Sequence, residues 1–128
     1  MKIFGIGIDI INCERIKSSL KKNVNFKKRI YSKSEITACS KKLNNTNCFA
    51  KKYAAKEAFV KALGTGFSKN LNFNEIEISN NRNGKPVISI SGKSLKATRE
   101  ILKKKFYNIH LTISDEKKYA VAQVIITL

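Results

Sequence analysis

The sequence predicts an α+β fold built on antiparallel strands, and three observations carry the prediction. Residues 2 to 10 alternate in character, as the two sides of a strand do. The stretch from about Thr46 to Leu63, rich in Ala and Lys and free of interior Gly or Pro, reads as one long helix. Two strand-like segments, Ile109 to Ser114 and Tyr119 to Leu128, then close the chain around the charged turn Asp115-Glu116-Lys117-Lys118.

In chain order, the first strand carries Phe4, Ile6, Ile8 and Ile10 on one face and Ile3, Gly5, Gly7 and Asp9 on the other, so Asp9 shares its face with two glycines. Asn12 can cap a short helix after it, and Ser32-Lys33-Ser34-Glu35 has the form of a capping box, so residues 12 to 40 read as short basic helices. Gly64-Thr65-Gly66 stops the long helix. Glu75 to Ser79 and Pro86 to Ser91 read as strands joined by the turn Asn83-Gly84-Lys85, and Lys93 to Lys105 as a second amphipathic helix. In the segment from Ile109, alternation sends Ile109, Leu111 and Ile113 inward and His110, Thr112 and Ser114 outward.

A chain of 128 residues fits one domain, residues 1–128. Its apolar opening is too short and interrupted for a membrane span and lacks a signal-peptide pattern, which predicts a soluble cytoplasmic protein. Cys13, Cys39 and Cys48 are odd in number and form no close metal-ligand pair, so reduced thiols are expected. The net charge of +17, from 26 Lys and Arg against 9 Asp and Glu, predicts attraction to nucleic acid, a membrane or an acidic protein, and charge alone does not choose among them. Lys, Asn and Ile are abundant along the whole chain, so a composition bias in the gene explains the charge equally well. No nucleic-acid motif or aromatic stacking platform stands out, which sets a nucleic-acid module behind the other readings.

Within the long helix, Ala50, Ala54, Glu57 and Lys61 fall in a sector of about 60°, beside an apolar sector of Phe49, Tyr53 and Val60. Alanines and glycines both permit close backbone approach, so packing this stripe on the Gly5 and Gly7 face would bring Glu57 near Asp9. Two carboxylates with waters and phosphate oxygens make a Mg²⁺ site, and Lys61 could contact a phosphate or take a proton. The alternative is an ordinary i, i+4 surface pair with Asp9 ending a strand. Gly64 and Gly66 either present N–H groups to a phosphate or simply end the helix, and the lone His110 is either a phosphate donor or an exposed residue. The segment from Arg15 to Arg29 mixes cations with Ile16, Leu20 and Phe26, which suits docking of an acidic helix or a plain solvated face.

The order and wording of these pieces go beyond their separate meanings. Gly5-Ile6-Gly7-Ile8-Asp9-Ile10 followed by Arg15-Ile16, the run from Phe49 to Gly66, Asn83-Gly84-Lys85-Pro86, His110-Leu111-Thr112-Ile113-Ser114 and Tyr119-Ala120-Val121-Ala122 together resemble the holo-acyl-carrier-protein synthases along essentially the whole chain. The resemblance implies a phosphopantetheinyl-transferase-like fold. It implies Mg²⁺-dependent transfer of 4′-phosphopantetheine from coenzyme A to a serine of apo acyl carrier protein, releasing adenosine 3′,5′-bisphosphate and supporting fatty acid biosynthesis. On that pattern Asp9 and Glu57 match the metal ligands and Lys61 the phosphate-contacting lysine, with Lys61 or a metal-bound water as the base.

Lys61, Gly64, Gly66, Asn83, Gly84, Lys85, Pro86, His110 and Thr112 would line the coenzyme A pocket, and Arg15, Lys22, Phe26, Lys28 and Arg29 would dock the carrier. A homotrimer with pockets shared between copies is implied, with no membrane or nucleic-acid partner. Two departures stand out: Phe73 takes the place of a frequent Trp, and Ser114-Asp115-Glu116 lacks a second histidine seen in some members. Ile11 occupies the position of a second carboxylate in the larger two-repeat transferases, which favours the short, self-associating class.

Overall fold

The computed structural model describes residues 1–66 and 70–128. Strand β1 (Ile3–Asn12) leads into three short helices, α1 (Cys13–Lys22), α2 (Phe26–Ile30) and α3 (Lys33–Ser40), and then the long helix α4 (Asn45–Leu63). A 3₁₀ turn (Phe73–Glu75) precedes the hairpin β2 (Ile76–Asn80) and β3 (Pro86–Ile90); α5 (Gly92–Leu102), β4 (Asn108–Asp115) and β5 (Tyr119–Thr127) complete the chain. The strands form an antiparallel sheet in the order β1-β5-β4 and a separate antiparallel β2-β3 pair, as the α+β expectation requires.

Local chemistry sets the element ends. Asn12 Oδ1 accepts the Glu14 N–H at 2.9 Å, capping α1. The capping box at Ser32 and Glu35 is present in both directions, at 3.2 and 2.9 Å. Helix α4 stops at Gly64, whose φ of +81° is the left-handed conformation that favours glycine. Helix α5 is shorter than the expected Lys93 to Lys105, because the chain leaves it at Lys103, itself left-handed at φ +54°.

Helix α4 organises the rest. It is buried around most of its circumference, from Phe49, Ala50 and Ala54 to Lys56, Phe59 and Leu63, and it lies between the three-stranded sheet and the β2-β3 hairpin. Its alanine side packs on the inward face of β1 and β5, as the glycines at positions 5 and 7 suggest, but the contacting alanines are not those of the expected stripe. A side chain at Gly5 would overlap the Ala62 carbonyl oxygen and one at Gly7 the Ala58 oxygen. The seam is therefore Ala58 and Ala62, offset from Ala50 and Ala54, which leaves Glu57 and Lys61 at its margin and partly open to water.

The outward face of the same sheet is unusual. Register sets Ile6 beside Ile125 and His110, Ile8 beside Gln123 and Thr112, and Ile10 beside Val121 and Ser114. Ile6, Ile8 and Ile10 are 56, 58 and 64% exposed, a row of large apolar side chains facing away from the core.

The cysteine expectation is corrected. Cys39 and Cys48 form a disulfide, and among the described residues only Cys13 is free. The α3–α4 connection folds the end of one helix back beside the start of the next, bringing the two Cα atoms to 5.4 Å, a juxtaposition that a nine-residue separation does not reveal. Among the described residues no helix is long and apolar enough to cross a membrane.

Candidate active site

Asp9 sits on the inward face of β1 and Glu57 and Lys61 on the neighbouring edge of α4, so the three expected residues do meet. Lys61 Nζ donates to Asp9 Oδ1 at 3.2 Å and to the Ile8 carbonyl at 3.0 Å. With the Lys61 side chain 52% exposed, this pair contributes at most roughly 1 kcal/mol, so its value is not stability. Glu57 is held above the usual carboxylate range, first by burial and then by the negative charge of Asp9, against the opposing effect of Tyr53 and Lys61. Tyr53 lies one turn earlier, and its phenol is pushed up to about 12, first by burial and then by the Glu57 carboxylate.

Two like charges have thus been brought together, with the exposed Lys61 ammonium beside them. Among the described residues no group of three or more His, Cys, Asp or Glu side chains gathers, so the donors suit an ion that takes two carboxylate oxygens and fills its shell with water and phosphate, as Mg²⁺ does.

The remaining expected residues fall in separate places. The Gly64 N–H is already used, donating to the carbonyls of Lys61 at 3.0 Å and Val60 at 3.2 Å, so it is a helix cap and not a free phosphate donor; Gly66 is exposed beyond it. Asn83, Gly84, Lys85 and Pro86 form the tip of the β2-β3 hairpin. Gly84 and Pro86 line a cavity of about 580 Å³ together with Lys42, Lys51, Lys52 and Asp115. Those three lysines were not singled out from sequence, because nothing in so lysine-rich a chain distinguishes them. His110 and Thr112 lie on the outward face of the sheet, where His110 Nε2 is 3.1 Å from Thr127 Oγ1.

Arg15, Lys22, Lys28 and Arg29 are exposed on α1 and α2, directly after the strand that carries Asp9. Phe26 is half-buried and packs its ring against Tyr53 and Tyr31, at centroid distances of 6.4 and 6.2 Å, so it supports the packing beneath these exposed cations more than it joins their surface.

On the far side of α4 lies a cluster that sequence reading missed. Lys56 Nζ donates to Glu35 Oε1 at 2.7 Å, the Phe73 carbonyl at 2.7 Å and the Ile76 carbonyl at 2.6 Å, and both side chains are fully buried. Burial lowers the Lys56 ammonium to about 8 in spite of its carboxylate partner. Lys52, lowered in the same direction by burial, donates to the Ile78 carbonyl at 2.8 Å.

The chain matches the family model of the 4′-phosphopantetheinyl transferase superfamily over residues 5–124. The holo-[acyl-carrier-protein] synthase of Pelagibacter ubique is 50% identical over 126 residues, 98% of each chain. That of Aliivibrio fischeri is 44% identical over the same span. Among solved structures, the holo-(acyl-carrier-protein) synthase of Bacillus anthracis in complex with CoA (3′,5′-ADP) superposes with a TM-score of 0.80 at 37% identity, covering 99% of this chain and 98% of that one. The Helicobacter pylori holo-[acyl-carrier-protein] synthase in complex with coenzyme A gives 0.77 at 31% identity, covering 95% and 99%. The wording of the β1 and α4 motifs, the fold that joins them and these likenesses agree, and the chain belongs to the 4′-phosphopantetheinyl transferase superfamily, among its holo-[acyl-carrier-protein] synthases.

Proposed function

We propose that this chain moves 4′-phosphopantetheine from coenzyme A onto a serine of apo acyl carrier protein with Asp9 and Glu57 as the holders of Mg²⁺, and that neighbouring copies complete each coenzyme A pocket. Residues 1–128 act in this reading as one transferase domain, cytoplasmic and serving fatty acid biosynthesis. The observation that carries it is the Asp9–Glu57 pair: like charges drawn together at the half-open margin of a helix–strand seam, with Glu57 raised by burial and by its neighbour.

In the reaction the serine oxygen attacks the phosphorus that bears the pantetheine arm, and the bond from that phosphorus to adenosine 3′,5′-bisphosphate breaks. Bound at the carboxylates, Mg²⁺ supplies charge neutralisation for the pyrophosphate and its leaving phosphate. Lys61, exposed and already donating to Asp9 and the Ile8 carbonyl, can turn its one remaining N–H to a phosphate oxygen; to take the serine proton it would first have to lose one of its own. Arg15, Lys22, Lys28 and Arg29 offer an acidic carrier a basic surface beside the site.

Sharing between copies rests on two features. Lys52 precedes Glu57 by five residues, about 140° around the helix and about 7.5 Å along it, so the cavity of Lys42, Lys51, Lys52, Gly84 and Pro86 opens away from the carboxylates of its own chain. A coenzyme A whose pyrophosphate lies at Asp9 and Glu57 reaches such a cavity most directly on a neighbour. The outward row Ile6, Ile8 and Ile10 is the apolar surface that association into a homotrimer would cover, and it would carry His110 and Thr112 into the interface.

Intact-mass spectrometry of apo acyl carrier protein incubated with the chain, coenzyme A and Mg²⁺, with and without chelator, tests the transfer and its metal dependence together. A phosphopantetheine mass gain confined to the chelator-free sample is expected; an equal gain in chelator removes the metal from the account. Mixing Glu57→Gln and Lys52→Ala copies, each inactive alone, should restore about a quarter of parent activity in randomly mixed trimers with shared sites. No recovery would place each pocket within one chain.

A further inference from the structure

The buried cluster on the far side of α4 does more than hold the core. We infer that Lys56, fixed by Glu35, is a positioning residue for the transfer: the pair sets the rotation of α4 about its own axis and so aims Glu57 and Lys61 at Asp9. The inference rests on the assignment of Glu57 and Lys61 to the site.

The Lys56 ammonium has three N–H donors, and three acceptors meet them, each from a different element: Glu35 of α3, Phe73 of the 3₁₀ turn and Ile76 of β2. Glu35 is just as constrained. Its Oε1 also accepts the Ser32 N–H at 2.9 Å, and its Oε2 accepts the Ile78 N–H at 2.8 Å. Neither side chain has a free donor direction or rotamer in which to drift, and both are fully buried. A buried ion pair is a poor device for stability, since apolar side chains of similar size pack as well, but it is directional.

The opposite side of α4 fixes distance more than direction. There the helix meets β1 through Ala58 and Ala62 lying so closely on Gly5 and Gly7 that an added side chain would overlap the alanine carbonyl oxygens. Turning a helix by about 20° moves a side-chain tip about 2 Å, given a radius of about 5–6 Å. A misplacement of that size is enough to cost on the order of a hundredfold in rate. Glu57 follows Lys56 directly in the chain, so a lock on one is a lock on the other.

The test uses two full-length variants. Glu35→Gln/Lys56→Met removes both charges and leaves no unpaired buried ion, and Glu35→Asp keeps the charge but withdraws it by one methylene. Folding is checked by circular dichroism, and kcat and the KM for apo acyl carrier protein are measured where each variant is fully folded. We expect kcat per folded molecule to fall about 10- to 100-fold in the double variant and several-fold in Glu35→Asp, with carrier KM within twofold of the parent. If the double variant does not fold, Glu35→Asp decides alone. A folded variant of either kind that keeps parent kcat within twofold overturns the inference. The site assignment fails by a different result, full activity of Glu57→Gln, so the two failures are told apart.

Discussion

Helix α4 carries charged residues on two opposite sides, and the two sides treat charge in opposite ways. Toward β2, Lys56 and Glu35 are fully buried, and the carbonyls of Phe73 and Ile76 receive the Lys56 N–H groups that Glu35 does not. Toward β1, Asp9 and Glu57 are left at a half-open margin, repelling each other, with the exposed Lys61 beside them. The same residue types at similar spacing thus serve as fasteners on one side and, in the function proposed above, as metal holders on the other. What separates them is satisfaction: charge with all its partners made is architecture, and charge gathered without enough counter-charge is a site.

The sharpest way to break that comparison is Glu57→Gln. Turnover should fall about 100- to 1,000-fold while the protein stays folded, measured as carrier modification per folded molecule. Parent-like turnover would make the β1 side architecture as well. Gly7→Ala acts on the seam between the two sides: the new methyl would overlap the Ala58 carbonyl oxygen, so a loss of at least about 3 kcal/mol is expected in urea unfolding. Arg15→Glu should spare both sides of α4 and raise the KM for the carrier about tenfold, an effect that shrinks as salt rises.

The smallest effect is a stability gain. Glu57 is raised above its ordinary value in the folded chain, so its ionisation opposes folding. Near pH 3 to 4 both folded and unfolded chains carry the proton and the penalty is absent; it grows as pH rises past the ordinary carboxylate value of about 4.3 and is complete above the raised one. In metal-free buffer Glu57→Gln should therefore be slightly more stable than the parent at neutral pH, by less than about 1 kcal/mol at a margin this open to water, and equal to it in acid. Thermal melts across pH read this directly, and a destabilised variant at neutral pH would mean that Glu57 helps to hold the fold.

The β1 side of α4 was legible from sequence and the β2 side was not. Glycines at positions 5 and 7 and small residues on α4 announce a close contact, and Asp9 and Glu57 stand beside it in the linear pattern, so their meeting could be expected. Even there the seam runs through Ala58 and Ala62, because helical angle alone does not say which of two adjoining alanine rows will be seated. Lys56 reads as one more lysine in a chain with 26 Lys and Arg residues, and its burial depends on the carbonyls of Phe73 and Ile76, 17 and 20 positions later. Glu35 was visible as the end of a capping box, but its second role depends on the same strand. The outward isoleucines of β1 alternate faultlessly, yet alternation names two faces without saying which one meets the core.

The Mg²⁺ dependence of carrier modification by Asp9→Asn, set beside the parent, tests the central claim most directly. If Asp9 and Glu57 hold the metal together, the variant should need at least tenfold more Mg²⁺ to reach half of its own maximal rate. A variant that saturates at the parent's Mg²⁺ concentration would contradict the claim and remove Asp9 from the metal site.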